Sequence, residues 1–125
     1  MLHKELTHQI IGCAIEVHKE LGTGYPEKIY QRALALELES KGLKFCSEYS
    51  MNIYYKGEKI GMRRVDFFIE DAVMLEIKAV EKLNDVCLVQ TKNYLESYKL
   101  KIGLLINFGS MSLQFKRVFN NKLYN

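Results

Sequence analysis

Residues 65–79, VDFFIEDAVMLEIKA, admit few folds, because apolar and charged side chains alternate through two short runs on either side of Glu70 and Asp71. Successive side chains of a strand point to opposite faces of a sheet. In the first run Val65, Phe67 and Ile69 share an apolar face, with Asp66 and Phe68 opposite. In the second, Val73, Leu75, Ile77 and Ala79 share an apolar face, and Met74, Glu76 and Lys78 take the other. The two runs suit a hairpin, and its loop decides what meets. A three-residue loop, residues 70–72, sets Asp66 opposite Glu76. A two-residue loop, residues 70–71, sets Asp66 opposite Leu75 and drives a carboxylate into the apolar face. The hydrophobic pattern therefore predicts the longer loop, with two carboxylates on one face and Lys78 a step along.

Burying such charges costs several kcal/mol unless something compensates them. Two close carboxylates repel, so one protonates unless a cation sits between them. Mg²⁺ takes oxygen ligands and suits that position. It polarises phosphate and lowers the pKa of a bound water. A neighbouring lysine can orient that water or stabilise the charge of the transition state. The pattern thus suits phosphodiester hydrolysis. A cross-strand salt bridge on an exposed sheet face would use the same residues, and so short a motif recurs by accident.

The flanking segments supply the rest of an architecture. Ile10, Cys13, Ala14, Val17 and Leu21 recur at helical spacing and predict a helix over residues 6–21, broken by Gly22 and Gly24. A second helix starts near Pro26 and runs to about Lys41, with Ile29, Tyr30, Ala33, Leu34 and Leu38 on its apolar side. Glu27 stands three residues before Tyr30 and is expected to point inward. Alternatively, it is an exposed first-turn acid facing the helix dipole. Residues 43–57 are rich in aromatic and β-branched types and close on a turn signal. Asn84 can cap a third helix from about Asp85 to Lys99, where Gln90 and Tyr94 lie one turn apart on the face of Cys87 and Thr91. The run IGLLINF suits a buried strand, and FKRVF a shorter last one. The order is ααβββαββ, an α/β fold with a mixed β-sheet flanked by helices.

The totals bound the class. A chain of 125 residues with 48% apolar and 26% charged content suits one globular domain over residues 1–125. The net charge is only +3. No Asp or Glu follows Glu96, whereas Lys99, Lys101, Lys116, Arg117 and Lys122 do, so the end is basic and can face phosphate or simply solvent. Cys13, Cys46 and Cys87 lack paired spacing, which argues against a disulfide framework or zinc site and for a cytoplasmic setting. The opening helix is amphipathic and carries Glu5, Glu16 and Glu20, unlike a signal peptide, and no stretch suits a membrane span. His18 borders the apolar side of the first helix and reads as a packed, hydrogen-bonded histidine. Arg63 and Arg64 alternate in direction, so at most one faces the carboxylates. Arg64 is assigned here to substrate contact.

Together these residues resemble the GxxExxY proteins, a bacterial and archaeal branch of the PD-(D/E)xK nuclease superfamily. The naming motif stands as Gly24-Tyr-Pro-Glu27-Lys-Ile-Tyr30, preceded by AIEVHKELG. RRVDFFIEDAVMLEIKAVEKL is similar to the family's central block, and IGLLINFG to its late strand. The likeness runs over about residues 6–119, with Val65 where the superfamily's name has proline. It implies a restriction-endonuclease-like core and Mg²⁺-dependent (or Mn²⁺-dependent) cleavage of nucleic acid, DNA ahead of RNA. It implies metal binding by Asp66 and Glu76, with the Ile77 carbonyl as a third ligand, and Lys78 as the catalytic lysine. Glu27 matches a helix-borne acid of related branches. Gln90 and Tyr94 match a Gln-x-x-x-Tyr motif that positions substrate and metal water. His18 and Tyr30 would stand behind these groups. Small enzymes of this kind often act as homodimers. The alternative is a catalytically silent nuclease-fold module that binds nucleic acid or a protein partner.

Overall fold

The apolar stripe of the opening helix needs a partner, and the next helix supplies part of it. In the computed structural model, which describes residues 3–124, α1 (Lys4–Leu21) buries Ile10, Ile11, Cys13, Ala14 and Val17. The chain turns at Gly22 and Gly24, both in positive-φ conformations that glycine adopts without strain. It then enters α2 (Glu27–Ser40), which buries Tyr30, Leu34 and Leu38. Pro26 stands just before the first helical residue.

Five strands form one sheet in the order β1-β2-β3-β4-β5. They are β1 (Phe45–Tyr55), β2 (Glu58–Ile69), β3 (Val73–Lys78), β4 (Ile102–Asn107) and β5 (Gln114–Phe119). All neighbours run antiparallel except β3 and β4, which are parallel and joined through α3 (Asp85–Tyr98). Asn84 caps α3 as expected, its side chain accepting the Cys87 amide at 3.0 Å. A short terminal helix, α4 (Asn121–Tyr124), has no counterpart in the sequence reading. The result is a restriction-endonuclease-like α/β fold.

The sheet has two dressed faces. Phe67, Ile69, Leu75, Ile77, Leu104 and Ile106 pack with the buried residues of α1 and α2. Val65 and Met74 pack instead with Leu95 of α3. At Gly103 an added Cβ would meet Leu95 and the Met74 carbonyl at 3.2 Å, so glycine lets α3 sit close on β4.

The hairpin takes the longer loop. Ile69 pairs with Val73, leaving residues 70–72 as the turn, with Glu70 and Asp71 both at φ 52. The ladder ends at Phe67↔Leu75, and just past it the Asp66 side chain meets β3 at the Ile77 amide, next to Glu76. One expectation is corrected. Val65 does not share a face with Phe67 and Ile69, because it lies on the α3 side. The alternation breaks at Asp66, beside Glu48 of β1, which is left-handed at φ 53 between the pairs Ser47↔Phe67 and Tyr49↔Val65. Such a strand irregularity re-aims the side chains around it.

Candidate active site

Glu76 follows Met74 on the α3 side of β3, and is only 4% exposed. A buried carboxylate needs a cation or donors. One is Arg63 of β2, whose Nη2 lies 3.1 Å from Glu76 Oε2. The break at Asp66 makes this possible, since Arg63 then shares the α3 side with Val65. Its guanidinium also sits 5.1 Å from the ring centre of Tyr94, which stacks on Tyr98 at 6.1 Å. Asp66 is half-buried, and its Oδ2 accepts the Ile77 amide at 2.7 Å.

Electrostatics mark the pair as short of positive charge. Burial, then the charge of Asp66, pushes the Glu76 carboxyl up to about 7, against the pull of Arg63 and Lys78. Burial also raises the Asp66 carboxyl, opposed by the Ile77 amide and by Arg63, Lys78 and Lys28. Among the described residues, three buried side-chain atoms lack a hydrogen-bond partner: Glu76 Oε1, Arg63 Nε and the Tyr98 hydroxyl. All three belong to this one cluster.

The strand ends are braced from behind. Asn107 accepts the Val80 amide at 2.9 Å and donates to the Val80 carbonyl at 2.8 Å, fixing the chain just past Lys78. Its Oδ1 also takes the Gly109 amide, and a Cβ at Gly109 would meet Val80 backbone atoms at 2.4 Å and 2.5 Å. The Phe108 amide donates to the Lys78 carbonyl at 2.9 Å, and Tyr30 stacks on Phe108 at 4.8 Å. Tyr30 also donates to the Gly22 carbonyl at 2.6 Å. The motif's tyrosine therefore ties the α1–α2 turn, through Gly22 just ahead of the motif, to Phe108 past the end of β4.

The expected site residues are thus only partly gathered. Asp66, Glu76 and Lys78 interact electrostatically. Arg63, rather than Lys78, is the cation in contact with Glu76. Glu27 is exposed at the start of α2 and has no hydrogen bond or ion pair with either carboxylate among the described residues. It is the first residue of its helix and, unlike Tyr30, is not packed into the core. The charge of its neighbour Lys28 acts weakly on Asp66, and Lys28 pairs with Glu48. Arg64 also turns to Glu48, at 3.8 Å. Gln90 is exposed one turn before Tyr94. His18 Nε2 lies 2.9 Å from the Ser110 carbonyl, as a packed histidine should. Among the described residues no group of three or more His, Cys, Asp or Glu is gathered as a metal cage.

Sequence reasoning weighed Arg63 but assigned Arg64 in its place, and it missed Tyr98 and Asn107. The four-residue step from Tyr94 to Tyr98 was a usable signal, because it keeps both on one helix face. Nothing in the sequence marked the break that redirects Arg63.

A sequence profile of the PD-(D/E)XK nuclease superfamily matches residues 4–118. Among solved structures, the crystal structure of SSO0001 is similar, with a TM-score of 0.59 and 17% identity over 74% of this chain. That match covers 48% of the SSO0001 chain, about half its length. No curated protein matches the sequence.

Proposed function

This chain belongs to the PD-(D/E)XK nuclease superfamily, and from that premise we propose that it is a Mg²⁺- or Mn²⁺-dependent nuclease that hydrolyses phosphodiester bonds of DNA, with RNA as the alternative substrate. Within the superfamily we place it in the GxxExxY branch, on Gly24, Glu27 and Tyr30. The observation that carries the reading is the Asp66–Glu76 pair, with a buried, unpartnered Glu76 Oε1 and a Glu76 carboxyl pushed up to about 7. A hard divalent cation answers both features, because it accepts carboxylate oxygens and removes their mutual repulsion.

Asp66 and Glu76 would hold the ion, with the Ile77 carbonyl as third ligand. A bound Mg²⁺ supplies charge to the phosphate and a more acidic water. The Asp66 hydrogen bond to Ile77 fixes one carboxylate in place. Lys78, extending from a strand end braced by Asn107 and Phe108, orients the attacking water and stabilises charge on the phosphorus centre. Water oxygen bonds to phosphorus, one ester P–O bond breaks, and the leaving oxygen takes a proton. Tyr94 and Gln90 stand on the helix that borders the substrate side, and Glu27 acts from the rim. Residues 1–125 would form one catalytic unit that grips a duplex as a homodimer.

The test is cleavage of single-stranded, duplex and branched DNA in Mn²⁺ by the wild type and by Asp66→Ala and Lys78→Ala. The proposal expects both variants to lose the activity. Equal cleavage by all three would mean contamination and would end it. A silent binding module is the second reading, and the Arg63–Glu76 ion pair favours it, because Arg63 already supplies part of the missing charge. Tight nucleic-acid binding in EDTA with no cleavage in any metal would select it.

A further inference from the structure

We propose that Arg63 and Tyr98 form an anion subsite beside Glu76 that takes a non-bridging phosphate oxygen of a nucleic-acid strand. The substrate class rests on the nuclease reading. The subsite rests on the unpartnered atoms. Glu76 Oε1 is an acceptor, and a cation satisfies it. Arg63 Nε is a donor and can be satisfied only by an acceptor, while the Tyr98 hydroxyl can donate to the same group. A cation therefore leaves Arg63 wanting, whereas a cation with a phosphate oxygen beside it completes the cluster.

Geometry favours an anion at this place. Tyr94 covers one face of the guanidinium, so the in-plane donors of Arg63 are held in a fixed orientation. That planar fork matches phosphate better than an ammonium does. One donor is already committed to Glu76; Nε and the Tyr98 hydroxyl are themselves buried, while the Arg63 side chain as a whole is 36% exposed. Tyr98 is stacked on Tyr94 and also lines a groove of about 450 Å³ with Tyr49, Phe68 and Lys99. This groove meets the subsite at Tyr98 and not at Arg63. Arg64 points to Glu48 and is not part of it.

Because the carboxylates repel a phosphate, occupancy of this subsite must depend on a divalent cation. Fluorescence anisotropy of labelled single-stranded and duplex oligonucleotides, in EDTA and in Ca²⁺, reads that coupling without turnover. The wild type is expected to bind about tenfold tighter in Ca²⁺, a gain typical of charge-assisted hydrogen bonds. Arg63→Gln should lose the gain, Arg63→Lys should recover part of it, and Tyr98→Phe should reduce it. If Arg63→Gln fails to fold, Arg63→Lys and Tyr98→Phe decide. An unchanged Ca²⁺ gain in the Arg63 and Tyr98 variants would overturn the subsite, as would a wild type that binds no oligonucleotide. Mn²⁺-dependent cleavage with binding independent of Arg63 would remove the subsite and leave the nuclease. Arg63-dependent binding with no cleavage in any metal would do the reverse.

Discussion

Asp66 accepts the backbone amide of Ile77 through Oδ2 at 2.7 Å, so a side chain of β2 takes up a main-chain donor of β3 just past their last backbone pair, Phe67↔Leu75. The carboxylate is therefore both a strand-joining acceptor and a negative charge, and the two roles separate by substitution. Asp66→Asn can keep the hydrogen bond while removing the charge. It should unfold in urea within about 0.5 kcal/mol of the wild type, or above it, whereas Asp66→Ala should lose about 1 kcal/mol or more by orphaning the Ile77 amide. Both should fail to cleave DNA. Retained activity in Asp66→Asn would show that the charge is not needed.

Glu76 sets a pH dependence. Its carboxyl is raised in the folded chain to about 7, from an ordinary value of 4.5. Below the ordinary value both states hold the proton and stability is unaffected. Between the two values the unfolded state has lost the proton and the folded state keeps it, so stability falls as pH rises. Without metal, unfolding free energy should decline by roughly 1–3 kcal/mol across that window and then level off. Mn²⁺ should remove most of the decline, and Glu76→Gln should shrink it to the part left by the raised Asp66 carboxyl while also abolishing cleavage. Denaturant melts at a series of pH values, with and without Mn²⁺, measure this. A stability that rises through the window would contradict the charge deficit.

Asn107 and Gly109 hold the chain just past β3, beside the Lys78 that the proposed reaction uses. Asn107→Ala frees both polar backbone groups of Val80, and Gly109→Ala forces a Cβ into the same backbone. Each should cost about 1–3 kcal/mol in stability. Because Lys78 lies two residues before Val80, cleavage should fall further than the loss of folded protein explains. Activity per folded molecule, from circular dichroism and single-turnover rates, checks this. An unchanged value would confine Asn107 to a structural part.

The sheet was legible where alternation was clean. Ile69, Val73, Leu75 and Ile77 predicted the hairpin register, and the apolar run from Ile102 predicted β4. The site was less so, for two reasons. Alternation assumes an unbroken strand, and β2 breaks it at Asp66 opposite a left-handed Glu48, which no local residue pattern announces. Arg63 thereby reaches Glu76, while Arg64, assigned to substrate contact, reaches Glu48 instead. Helical phase is likewise a poor guide at a first turn. Glu27 is in phase with Tyr30, yet the end of a helix projects beyond the packed face, and the residue is exposed.

Anomalous diffraction from crystals of the wild type soaked in Mn²⁺ bears most directly on the central claim, since it asks where the cation goes before any activity is assayed. The account predicts a single strong peak bound by Asp66 and by Glu76 Oε1, with the same peak missing in Glu76→Gln. A peak elsewhere, or no peak at millimolar Mn²⁺ with Glu76 still held by Arg63, would contradict it.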